Sequence, residues 1–132
     1  LLFSWKIRKG FSKNISLERM EKFADWFYKN EIIPHFEDEE KFLFPILEPG
    51  NELVERALKE HRRLRRLFED KDNVERALHN LEEELDAHIR FEERILFNEI
   101  QKVATPEQLA KVDEIHQEPE EVFEYEDPFW EK

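Results

Sequence analysis

The chain has 132 residues, 41% of them charged, and a formal net charge of −12. That length suits one domain with one core, and the acidity works against nucleic acid and anionic membranes as partners. With two Gly, six Pro and no Cys, the composition disfavours a turn-rich β-sandwich and rules out disulfides, thiolate metal sites and cysteine nucleophiles.

What remains is a set of long amphipathic helices. Any metal must be held by His and carboxylates, which suit iron, manganese or zinc. No apolar run approaches the roughly 18 residues of a membrane span. Nothing resembles a signal peptide, so the expected location is cytoplasmic.

The opening stretch LLFSWKI is apolar, uncapped and without a Met. It reads as the end of a truncated first helix that began upstream, with Leu2, Trp5 and Phe11 at near-helical spacing and a stop near Gly10. Ser16 caps the next helix, with Glu18 in its first turn. Its inner face runs through Met20, Phe23, Ala24, Phe27 and Glu31. Pro34 removes one backbone hydrogen bond and is expected to kink it. The helix then continues through His35, Glu39, Phe42 and Ile46 to Pro49-Gly50.

Asn51 caps a third helix whose stripe is Val54, Ala57, His61, Leu64 and Phe68. Asp72 with Glu75 reads as a capping box for a fourth. Its inner face is Leu78, Leu81, Leu85, His88, Glu92, Ile95 and Glu99. Thr105, Pro106 and Gln108 start a short fifth helix that runs to about His116. An acidic tail from Gln117 carries Phe123, Tyr125, Phe129 and Trp130. Short connections make neighbours antiparallel. The expected fold is all-α: an up-down four-helix bundle over 1–116, with the short fifth helix, followed by the acidic aromatic tail over 117–132.

Two stretches repeat each other: HFEDEEKFLF from His35 and HIRFEERILF from His88. Residues four apart on a helix lie about 40° apart around the axis and about 6 Å along it. His35 and Glu39 can therefore reach one point, and so can His88 and Glu92. Each pair lies on its helix's apolar stripe, where a carboxylate is costly unless paired or metal-bound. A pair of cations resolves that cost, because carboxylates bridge two ions while imidazoles fill terminal positions. His61 sits among Val54, Ala57, Leu64 and Phe68, so a third helix also turns a His inward.

These stretches, with KEHRRLRRLF around His61, resemble the hemerythrin-like, or HHE cation-binding, domains over roughly Leu17 to Ile100. In that family the second and fourth helices each supply a His-x-x-x-Glu, the third helix a His, and the glutamates bridge two irons. The resemblance implies that His35, Glu39, His61, His88 and Glu92 are metal ligands. It also implies a His from the first helix. No His precedes His35 here, so that ligand is expected upstream of Leu1. Arg65 stands where hemerythrins proper often place a second third-helix His, and the smaller ligand set speaks against reversible oxygen carriage.

Other polar residues read as solvated or supporting. His79 lies on the face opposite His88, and His116 suits a helix C-terminus as a cation. Glu40 and Glu93 are about 100° from the bridging candidates and should face solvent or basic side chains. Glu31 and Glu99 are in line with the site and could orient a His through its other nitrogen. The run HRRLRR is a solvated basic face.

The function implied is a non-haem dinuclear, diiron protein that binds or senses dioxygen, nitric oxide or a similar small ligand. The alternatives are a diiron redox enzyme, reducing peroxide or nitric oxide or repairing metal centres, and a structural bundle holding zinc or no metal.

Overall fold

The computed structural model describes residues 2–116 and 125–131. Among them all regular structure is helical. Phe123 and the acidic residues around it lie outside the described residues, as does the side chain of His116. No helix among the described residues is long and apolar enough to cross a membrane.

Helix α1 spans Leu2–Ser12. Its buried face is Phe3, Ser4, Ile7 and Gly10, not the expected Leu2 and Trp5, which are 43% and 45% exposed. Aromatic packing sets the phase: the Phe3 ring stacks on Phe27 at 4.7 Å and on Phe23 at 5.7 Å, and tilts against Phe68. Nor does Gly10 end the helix. Asn14, at φ 56°, closes it, with Ile15 N–H bonded to Gly10 O and Asn14 N–H to Phe11 O, the paired bonds of a left-handed helix terminus. Gly10 is needed for closeness instead. A Cβ there would meet Met20 Sδ at 2.5 Å and Phe129 Cε1 at 2.9 Å.

Helix α2 covers 17–46. Ser16 caps it, its Oγ accepting from Arg19 N–H at 3.3 Å. After the α-helical Leu17–Phe27 comes a π-helical turn, Tyr28–Ile32. There Ile33 N–H bonds five residues back, to Tyr28 O. Pro34, which has no N–H, follows at once and opens the α-helical Ile33–Asp38. A wide turn therefore precedes the residue that lacks a donor. A second π turn, Glu39–Leu43, and a 3₁₀ turn, Phe44–Ile46, finish the helix, which stops short of Pro49-Gly50.

Helix α3 is Glu52–Glu69, capped by Asn51 Oδ1, which accepts from Leu53 and Val54 N–H at 2.9 and 3.2 Å. Helix α4 covers 74–103: Val74–Phe91, a π turn Glu92–Leu96, then Phe97–Val103. Its cap is Asn73, one residue later than the expected Asp72, because Asp70 Oδ1 takes the N–H groups of Asp72 and Asn73 to form the preceding turn. Helix α5, Pro106–His116, starts with reciprocal bonds between Thr105 and Gln108.

The π turns shift which residues face inward. A π turn carries one more residue than an α-turn, so residues after it move round the axis. After Glu39 the buried residues are Leu43 and Phe44, while the expected Phe42 is 38% exposed. After Glu92 they are Leu96 and Phe97, while the expected Ile95 is 45% exposed. The same rephasing follows both His-x-x-x-Glu motifs.

Beyond the helices, Tyr125 and Phe129 are buried and meet the Phe23 ring edge-on. Arg19 grips Asp127 with two hydrogen bonds, and Lys6 lies 4.1 Å from the Trp130 ring centre. The apolar core falls into two clusters. One contains Phe23, Phe36, Leu64, Leu81 and Leu85, the other Leu43, Phe44, Ala57, Phe91 and Leu96. Along α2, α3 and α4, the buried charged residues occur between the two.

Candidate metal centre

Among the described residues, five polar or charged side chains are buried: Ser4, Glu39, His61, His88 and Glu92, each at 2% exposure or less. The last four converge from α2, α3 and α4. They offer ligand atoms all within 4.8 Å of one another. His61 Nε2 lies 3.1 Å from Glu39 and 3.6 Å from Glu92, and His88 Nε2 lies 3.2 Å from Glu92. His35 is one contact further out: Nε2 is 3.3 Å from Glu39 Oε2, and the side chain is 34% exposed. Of the residues expected at the site, four therefore form a closed cluster and His35 stands at its open edge.

The outer nitrogens are held elsewhere. His61 Nδ1 donates to Glu40 Oε2 and His88 Nδ1 to Glu60 Oε1, both at 2.7 Å. Glu40 meets a basic side chain as expected, Arg65 at 3.3 Å, but it also accepts from the His61 ring. Of the sequence-based candidates for this role, Glu99 pairs with Lys102 at 2.9 Å, while Glu31 is half-buried on the turn before His35 and feels its charge. Glu60 was missed entirely. Glu93 is exposed as expected. His79 is exposed too, with its ring stacked on Phe11 at 3.8 Å. The basic run around Arg62 faces outward, except that Arg65 reaches Glu40 at 3.3 Å.

Burial and neighbouring charge act against each other here. Burial disfavours a charged His61, but Glu39, Glu40 and Glu92 outweigh it and push the imidazole up to about 10. Burial likewise opposes charge on His88, and Glu60 and Glu92 raise it to about 9. Burial, then the charge of Glu92, lifts Glu39 above the usual carboxylate range. Burial would lift Glu92 as well, but His61 and His88 hold it below that range. Glu40 is held down by its bond from His61, with Arg65 and Arg62 adding to it.

The ion-pair contacts do not satisfy the inner atoms. His61 Nε2, His88 Nε2 and Glu92 Oε2 are buried, and among the described residues none has a hydrogen bond of proper alignment. Buried polar atoms are rarely left so. Imidazole Nε2 atoms and carboxylate oxygens converging with poor mutual hydrogen bonding form a donor set that fits a cation such as iron, manganese or zinc. Glu39, Glu92, His61 and His88 are the residues that could hold it, with His35 beside them.

Among the described residues, the polar interior of this helical protein is a cluster of imidazoles and carboxylates that could hold a cation. Residues 5–74 match the family model described as the hemerythrin HHE cation binding domain. That is just over half of the chain, which therefore belongs to this family. The matched region contains His35, Glu39 and His61. His88 and Glu92 lie beyond it and join the site through the repeated motif and the geometry. No curated protein and no solved structure matches the chain.

Proposed function

We propose that the chain holds a pair of non-haem iron ions and uses them to bind or sense a small diatomic ligand such as dioxygen or nitric oxide, in the cytoplasm. Glu39 and Glu92 would bridge the ions, and His35, His61 and His88 would fill terminal positions, within an up-down arrangement of α1 to α4. The observation that carries this reading is the buried quartet Glu39, His61, His88 and Glu92, within 4.8 Å of one another. Bound iron supplies redox chemistry and open coordination positions.

The protein's own residues shape access to that point. The Phe36 ring stacks on His61 at 3.7 Å and Phe44 tilts against it at 5.4 Å, which keeps water from this side. His35, partly exposed, marks the side from which a small neutral molecule can approach. The acidic surface works against nucleic acid as a partner.

The test is anaerobic loading with ferrous iron, metal counting, and visible spectra on exposure to air and on its removal. The wild type is expected to take up a pair of irons and to change colour on exposure to air. Glu39→Ala and Glu92→Ala should each hold one ion or none. A variant that keeps the full pair with an unchanged spectrum refutes the bridging roles. Retention of zinc alone would favour a structural role, and turnover of added peroxide an enzyme.

A further inference from the structure

Two carboxylates outside the proposed ligand set hold the outer nitrogens of the buried imidazoles of His61 and His88. Glu40 on α2 accepts from Nδ1 of His61 on α3, and Glu60 on α3 accepts from Nδ1 of His88 on α4, each at 2.7 Å. Each carboxylate thus comes from the preceding helix, and each is the sequence neighbour of a cluster residue, Glu39 or His61.

Each is also gripped by an arginine of α3. Arg65 Nη2 lies 3.3 Å from Glu40, and Arg56 Nε donates to Glu60 at 2.9 Å. The arginines are seated on aromatic rings: Arg56 at 3.9 Å from the centre of Phe91, Arg65 at 5.6 Å from that of Phe36. Phe36 itself lies flat on His61. The result is two Arg–Glu–His chains, one on each flank of the cluster.

An ionised carboxylate can only accept. The nitrogen facing it must carry the proton, so a neutral ring keeps its lone pair on Nε2. In both rings Nε2 is the atom turned toward the inner glutamates. Partners of this kind fix tautomer and ring plane and raise ligand basicity. The arginines keep the carboxylates charged and restrict their rotation, so the imidazoles are aimed before any cation arrives.

We infer that Glu40 and Glu60 are positioning residues that present His61 and His88 to a cation through Nε2, and that Arg65 and Arg56 hold them in that role. The inference rests on the metal-binding reading above.

Zinc is the probe, because it is diamagnetic and allows ring nitrogens to be followed by ¹⁵N NMR. In the wild type both rings should bind zinc through Nε2 and carry a hydrogen-bonded Nδ1 proton. Glu40→Gln and Glu60→Gln should each weaken zinc binding about 10–100-fold. Each should move the Nδ1 proton of its own partner only, His61 in the first and His88 in the second. Glu93→Gln, at an exposed position, should change neither. Should a Gln variant fail to fold by circular dichroism, Arg65→Gln and Arg56→Gln replace it, with a smaller loss of affinity and the same ring-specific shift. Wild-type zinc affinity in both Gln variants, or zinc on Nδ1, overturns the inference and leaves metal binding intact. A wild-type protein that binds neither zinc nor iron overturns the metal reading itself, and the inference with it.

Discussion

The two inner glutamates should be unequal in the metal-free protein, although both are proposed to bridge. Glu92 faces the two most buried imidazoles, 3.2 Å from His88 and 3.6 Å from His61, and its carboxylate is held in the charged form by them. Glu92→Gln removes that charge and leaves two buried imidazoliums short of a counterion. Breaking a buried pair costs about 3–5 kcal/mol. Glu40 and Glu60 remain as partners, so the loss should lie near the low end, about 3 kcal/mol. Glu39 differs: burial and Glu92 raise its carboxyl against the pull of His35 and His61, so less stability rests on its charge. Glu39→Gln should cost about 1 kcal/mol or less. With a urea dependence of about 2 kcal/mol per molar for a small domain, the midpoints should fall by about 1.5 M and about 0.5 M. The assay is urea unfolding in the presence of a chelator at pH 7. Equal shifts, or a larger one for Glu39→Gln, would refute the division of charge argued here.

Metal uptake should expel protons. His61 and His88, raised to about 10 and 9, are charged at pH 7 in the metal-free protein but must be neutral as ligands. Zinc titrations in buffers of different ionisation heat should therefore show release of about two protons. Because both pKa values rise on folding, their contribution to metal-free stability is complete below about 6.5 and is lost as pH climbs through about 9 to 10; melting temperatures in chelator should fall across that window. Leu96→Ala should cost about 2–5 kcal/mol and Ile95→Ala no more than about 0.5, an order that an uninterrupted α-helix would reverse. Gly10→Ala gains about 1 kcal/mol in helix propensity but forces Met20 and Phe129 apart, at about 1–3 kcal/mol, so thermal unfolding should show a net loss of up to about 2 kcal/mol.

The caps at Ser16, Asn51 and Thr105 were legible because a capping side chain acts within three residues of itself. The convergence of Glu39, His61, His88 and Glu92 was legible because each sits on an apolar stripe, where an isolated charge has no other explanation. Ile95 and Phe42 were misplaced because spacing rules assume 3.6 residues per turn, and the wide turns after both motifs depart from it. Leu2 and Trp5 were misplaced because an 11-residue helix offers two plausible apolar faces, and the Phe23–Phe27–Phe68 rings on other helices decide between them. Glu40 and Glu60 escaped because their partners lie on the next helix, a relation that no spacing within one helix encodes.

The polar layer between the two core clusters also acts on how the helices can be arranged. Oil-like surfaces slide with little penalty, since one Leu or Phe replaces another against a neighbour. Moving α3 along α2 by one turn, about 5.4 Å, would instead carry His61 away from Glu39 and Glu40. A leucine or alanine would then stand opposite a buried carboxylate. The same displacement would pull Glu60 from His88, so a slip at one helix pair is felt at the next. The quartet thereby works like the notches of a key, selecting one vertical alignment of α2, α3 and α4 from several that hydrophobic contact alone would accept.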